Sequence, residues 1–189
     1  MVPISIDVII VILCVFILLN LDRYFFGVPF VRSTDKQAST ILKLLKPAKG
    51  ERIADLGSGD GILLISIAQA GALSEGFETS PILVWKSRRK IKKLGLDEKV
   101  TIYRKSYWKE DLSSYDAITI YGVDSVMGRL ERKLLAELKP GTRVVSSKYK
   151  FPHWKPAKEE GRVYLYVKSQ GESLSLSSDE ALLSSVDSL

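Results

Sequence analysis

Between Thr34 and Val167 the chain alternates short apolar runs with longer segments of helical period. Arg52–Leu56, Leu73–Glu78, Val100–Arg104, Ala117–Tyr121, Arg143–Ser147 and Val163–Val167 read as strands. Residues 34–46, 62–70, 81–94 and 125–138 read as helices, and their ends carry the expected punctuation. Thr34-Asp35-Lys36-Gln37 fits a capping box. Ser80-Pro81 opens the third helix, and Pro47, Gly71, Gly95 and Pro140-Gly141 stand at or just past helix ends. Strands separated by helices of this length are joined by crossovers, so the sheet is mostly parallel and covered on both faces. The pattern predicts one doubly wound α/β domain over residues 27–168. A chain of 189 residues has room for one such domain and not two.

Composition removes several chemistries. A single cysteine, Cys14, and a single histidine, His153, exclude a disulfide scaffold, a Cys/His zinc site and a Cys–His nucleophile. No metal site is expected. The net charge of +6 is unevenly spread: residues 1–30 carry −1, residues 31–168 carry +11 and residues 169–189 carry −4. So basic a body suits an acidic partner, which charge alone does not name.

The two ends differ from the middle. Residues 8–19 are an unbroken apolar run, and the stretch 4–21 has the length of a short transmembrane helix. It lacks the basic leader and small-residue exit of a signal peptide, and Asp22-Arg23-Tyr24-Phe25-Phe26 follows it as at a membrane interface. It is read as a single-pass anchor. Arg23, Arg32 and Lys36 lie after it, which places the α/β domain on the cytoplasmic side. Residues 169–189 hold eight serines and no Lys or Arg, too little apolar surface to offset ordering, and read as a disordered tail.

The first strand runs into Asp55-Leu56-Gly57-Ser58-Gly59-Asp60-Gly61, and the second ends on Glu78. Glycines at a strand-to-helix turn let the backbone approach a ligand, and an acid at the next strand end accepts hydrogen bonds from both hydroxyls of a ribose. A dinucleotide site wants G-x-G-x-x-G around a pyrophosphate. Here the run is G-x-G-x-G with Asp55 two places before it, an arrangement that repels pyrophosphate and suits a cationic amino-acid group. S-adenosylmethionine carries that cation and no phosphate. Asp55, Gly57, Gly59, Asp60 and Glu78 are the candidate cofactor contacts.

The same residues resemble those of class I S-adenosylmethionine-dependent methyltransferases, whose fold is Rossmann-like. Gly27-Val28-Pro29-Phe30-Val31, Tyr107-Trp108-Lys109 with Asp111-Leu112, Tyr121-Gly122-Val123, Met127 with Leu130-Glu131-Arg132-Lys133-Leu134, and Phe151-Pro152-His153-Trp154 narrow the likeness. Together they resemble the ATP synthase c-subunit lysine N-methyltransferase family and its prokaryotic relatives. The resemblance implies an N-terminal membrane segment and methylation of a protein lysine; beside the anchor, the substrate is read as a membrane-embedded protein. The family tends to carry an adenine-binding acid where this chain departs to Ser106, whose hydroxyl is a weaker acceptor; Ser106 and Tyr107 complete the expected cofactor contacts.

Methyl transfer from a sulfonium asks for alignment and a neutral nucleophile more than for acid–base groups. Apolar and aromatic walls lower a lysine's pKa and accept its methylated forms. Trp108, Tyr149 and Trp154 are expected to line a lysine channel, with Tyr121 and Asp124 at the methyl-transfer point. The chain lacks the (D/N)-P-P-(Y/F) run of adenine- and glutamine-directed enzymes after the fourth strand. The basic cluster Arg88-Arg89-Lys90 with Lys92-Lys93 reads as a solvated face, a lipid contact or an RNA surface; without an appended binding module, nucleic acid is the weaker partner. The alternatives are methylation of a small molecule, lipid or RNA, and a non-catalytic S-adenosylmethionine-binding module.

Overall fold

The computed structural model describes residues 6–11, 13 and 35–171. In chain order these form α1 (Asp35–Leu45), β1 (Arg52–Leu56), α2 (Ile62–Gln69), β2 (Leu73–Glu78), α3 (Pro81–Lys93), β3 (Val100–Arg104), a 3-10 turn (Tyr107–Lys109), β4 (Ala117–Tyr121), α4 (Asp124–Glu137), β5 (Arg143–Ser147), β6 (Lys158–Glu160) and β7 (Val163–Val167). The strands lie in one sheet in the order β3-β2-β1-β4-β5-β7-β6. The first five are parallel, β7 runs antiparallel to β5, and β6 folds back antiparallel onto β7. The order reverses between β1 and β4, so the crevice for a ligand opens beyond their carboxyl ends.

The central strands are buried on both faces, as a parallel sheet between helices requires. Ala54 and Leu56 of β1 and Ile118 and Ile120 of β4 pack with Met127, Leu130 and Leu134 of α4. On the other face Ile53 and Ala117 pack with Leu44 and Leu45 of α1 and Ile67 of α2. Leu64 of α2, Val84 and Ile91 of α3 and Ile102 of β3 complete the core on the β3 side. Alternation along β1 and β4 therefore puts Asp55 and Thr119 on the α2 side of the sheet.

Every strand and helix read from the sequence within this region is present, with ends shifted by a residue or two. Two elements and the antiparallel setting of β7 were not anticipated. β6 consists of three charged residues, Lys158-Glu159-Glu160, with no apolar alternation to mark it. It exists because Gly161, at φ +61, turns the chain into a hairpin with β7. The 3-10 turn at Tyr107–Lys109 is too short to give a period. Ser80 sits at the α3 N-cap, yet its side chain makes no capping bond; its amide donates to Glu78 Oε1 at 2.8 Å instead.

Residues 6–11 and 13 are helical, with exposed apolar side chains. Among the described residues no helix is long and apolar enough to cross a membrane. The rest of the anchor segment 4–21, Thr34 of the capping box, Gly27-Val28-Pro29-Phe30-Val31 and nearly all of the serine-rich tail lie outside the described residues.

Candidate active site

The glycine loop is stitched to the end of β2. Gly57 and Ser58 amides both donate to the Phe77 carbonyl, at 2.9 and 3.1 Å, and Gly61 closes the turn onto the Ser58 carbonyl at 3.0 Å. Gly57, Gly59 and Gly61 have φ of +87, +56 and +77, a region that side chains disfavour. A Cβ on Gly57 would meet nothing within 4 Å, so its open side is available to a ligand. A Cβ on Gly61 would lie 2.8 Å from Ser87 Cβ, so that glycine serves the packing of α3.

Two carboxylates converge on this loop. Asp55 is buried, and the Thr119 hydroxyl donates to its Oδ1 at 2.8 Å. Burial raises its carboxyl to about 7; the Thr119 bond offsets part of the rise and the Glu78 charge adds to it. Glu78 Oε2 accepts the Gly59 amide at 3.0 Å and its Oε1 accepts the Ser80 amide. Each carboxylate oxygen has a second lone pair, so both remain able to accept from a ligand hydroxyl. The site thus offers a buried acid for a cation and a braced acid for a diol, with no basic side chain on the loop for a phosphate. These donors and acceptors fit S-adenosylmethionine.

Asp60 is turned elsewhere: its Oδ2 pairs with Lys90 Nζ at 2.7 Å, tying the loop to α3. Ser106 is the N-cap of the 3-10 turn and accepts the Trp108 amide at 3.4 Å. Tyr107 lies against Trp108 at 4.8 Å between centroids, and burial pushes its hydroxyl up to about 12, so it stays a donor. The Arg129 guanidinium lies 4.3 Å from the Trp108 ring. Tyr121 and Tyr149 come together around Lys148, whose ammonium is 5.7 and 5.3 Å from their ring centres.

Trp154, expected in the lysine channel, lies in the core: it is buried, tilted against Tyr166 at 5.2 Å and stacked on Phe151 at 5.6 Å. The buried Glu131 of α4 fixes it there by accepting the His153 and Trp154 amides. Asp124 is the exposed first residue of α4, with Val123 as the N-cap, and its acid in the first turn complements the helix dipole.

Sequence reading overlooked Thr119, Gly76 and Lys148. Gly76 sits mid-strand, where a Cβ would come within 2.5 Å of Leu64 Cδ1 and Ser58 Oγ. A glycine inside an apolar strand is the signal that marks such a close approach. Lys148 holds a φ of +80, a strained conformation for a lysine and invisible in sequence.

Residues 55–158 match the ANTKMT methyltransferase domain family. The chain belongs to this family. It is 38% identical over 128 residues to the ATP synthase c-subunit lysine N-methyltransferase of Rattus norvegicus, covering 68% of this chain and 59% of that one. It is 31% identical over 150 residues to a protein-lysine N-methyltransferase of Saccharolobus islandicus, covering 74% and 93%. The chain spans only 51–59% of the length of the mammalian c-subunit enzymes it matches. Among solved structures, an RNA methyltransferase from Salinibacter ruber in complex with S-adenosyl-L-homocysteine superposes with a TM-score of 0.74 at 28% identity, over 78% of this chain and 99% of that one. The methyltransferase fold of the family is thus the fold of this chain.

Proposed function

We propose that the chain is an S-adenosylmethionine-dependent protein-lysine N-methyltransferase. The observation that carries the cofactor is the pairing of buried Asp55 with Glu78 around an open glycine loop. The lysine acceptor is supported by the two relatives named as lysine N-methyltransferases. The cofactor would supply a methyl group activated by a sulfonium. The chain's part would be to bind and orient it: Asp55 would face the ammonium, Gly57 and Gly59 would give it backbone contact, and Glu78 would accept from the ribose. Tyr107 and Ser106 would hold the adenine end.

The acceptor amine must arrive unprotonated and in line with the methyl group. Tyr121 and Tyr149 form the apolar wall beside it, and Lys148 places a fixed positive charge there that disfavours a second ammonium. Trp108, half covered by Tyr107 and Arg129, lines the approach. Residues 4–21 serve as a membrane anchor ahead of the domain at 27–168, which faces the cytoplasmic side, and the substrate is a membrane-embedded protein. The apolar run and the basic residues that follow it support this arrangement.

Incubation with labelled S-adenosylmethionine and membrane extract tests the reading. Label should stay on protein through lipase and RNase treatment, and acid hydrolysis should release methyllysines. The Salinibacter neighbour, named as an RNA methyltransferase, supports a second reading in which RNA is the acceptor. Label lost on RNase treatment would establish that one instead.

A further inference from the structure

Helix α3 carries six lysines and arginines in thirteen residues and no acidic residue. Its inner face, Val84, Ser87 and Ile91, is buried. Two of the cations on its flanks are engaged within the fold: Lys90 pairs with Asp60, and Arg88 Nη2 donates to the Ile102 carbonyl at 2.6 Å. Helical spacing puts the other four, Lys86, Arg89, Lys92 and Lys93, on the outer face together with Ile82 and Trp85. No carboxylate of the described residues pairs with any of these four. Ile82 and Trp85 are 51% and 59% exposed, and the Arg89 guanidinium rests 5.5 Å from the Trp85 ring.

A helix facing plain solvent mixes the two signs of charge and keeps large apolar side chains inside. Here the sign is uniform and an indole stands in its midst. We propose that the outer face of α3 docks on an anionic phospholipid surface. Nucleic acid would take the four cations but leave Ile82 without a partner. A bilayer interface takes all of the face: indole at the headgroup level, isoleucine below it, and lysine stems reaching back to the phosphates. α3 begins just after Glu78 and Ser80, so docking holds the carboxyl edge of β2 at the membrane. This contact depends neither on the apolar segment near the N-terminus nor on the identity of the methyl acceptor.

The test uses the full chain in vesicles of brominated phosphatidylcholine, alone or mixed with brominated phosphatidylglycerol, and reads tryptophan fluorescence. Quenching should appear in the anionic vesicles and fall at least about fivefold when Lys86, Arg89, Lys92 and Lys93 are all changed to Gln. Trp85→Phe, an exposed and conservative change, should remove most of the quenched component, since Trp154 is buried and Trp108 is half covered by Tyr107 and Arg129. Each variant is first shown to melt like the parent. Equal quenching in phosphatidylcholine alone, or quenching that survives the four substitutions, would overturn the proposal. So would an RNA mobility shift that the four substitutions abolish while vesicle quenching persists.

Discussion

Asp55 and Thr119 are register partners on the adjacent parallel strands β1 and β4, and the Thr119 hydroxyl donates to the buried Asp55 carboxylate at 2.8 Å. One hydroxyl is modest compensation for a carboxylate removed from water, and burial accordingly lifts its pKa from 3.8 to about 7. In the proposed cofactor complex this acid would face the cation.

Two opposite responses are expected from Asp55→Asn. The native state holds this proton more tightly than the unfolded chain, so the stability it contributes is full below about pH 4 and is lost as pH rises through about 7. Without ligand the Asn variant should therefore melt higher than the parent at about pH 8, and the gap should close as the pH falls toward about 5. S-adenosylmethionine affinity of the parent should rise from about pH 6 to about pH 8 as the carboxylate ionises, and the Asn variant should lose both the affinity and the slope. Calorimetry and thermal melts across this range check both.

Glu78→Ala removes an acceptor that serves two backbone amides and, in the proposed complex, the ribose hydroxyls. Hydrogen bonds to a charged group are worth about 1.5–3 kcal/mol each. Cofactor affinity by calorimetry should drop at least about tenfold, a change of about 1.4 kcal/mol. The apo protein should also melt lower, because the Gly59 and Ser80 amides lose their partner.

Gly76→Ala should destabilise by about 1–3 kcal/mol, the usual cost of overpacking. The added methyl would press on Leu64 and on Ser58 of the glycine loop. Cofactor affinity should fall with stability, since the loop would be pushed off β2. Denaturant titration beside calorimetry measures the two losses together.

Trp154→Ala should act through folding, by about 3–5 kcal/mol for a large aromatic in a core. Tyr149→Ala, at a half-buried ring beside Lys148, should leave the melting temperature closer to the parent and raise the KM for a lysine substrate. An unchanged melting temperature for Trp154→Ala would return that ring to the substrate channel.

Removal of residues 1–23 leaves every described strand in place, and the shortened protein should fold and bind cofactor. Methylation of membrane protein should weaken, because a tether raises the local concentration of enzyme and substrate. Flotation of both forms with membranes and a label-transfer assay test this.

The sequence by itself determined the parallel part of the sheet, its crossover helices and the glycine loop with Asp55 and Glu78. Each is written in local period or in turn residues, which single segments carry without reference to their neighbours. Tertiary structure decided the rest. Hairpin β6–β7 depends on a turn and on a partner strand, since Lys158–Glu160 has no apolar pattern of its own. Trp154 reads in sequence like any loop aromatic; the buried Glu131, on a distant helix, holds its amide, and Phe151 and Tyr166 pack its ring. Asp60 becomes a strut and Lys148 a cation beside Tyr121 through contacts 30 and 27 residues away along the chain. Such contacts are fixed by packing between elements, and a linear pattern holds no record of them.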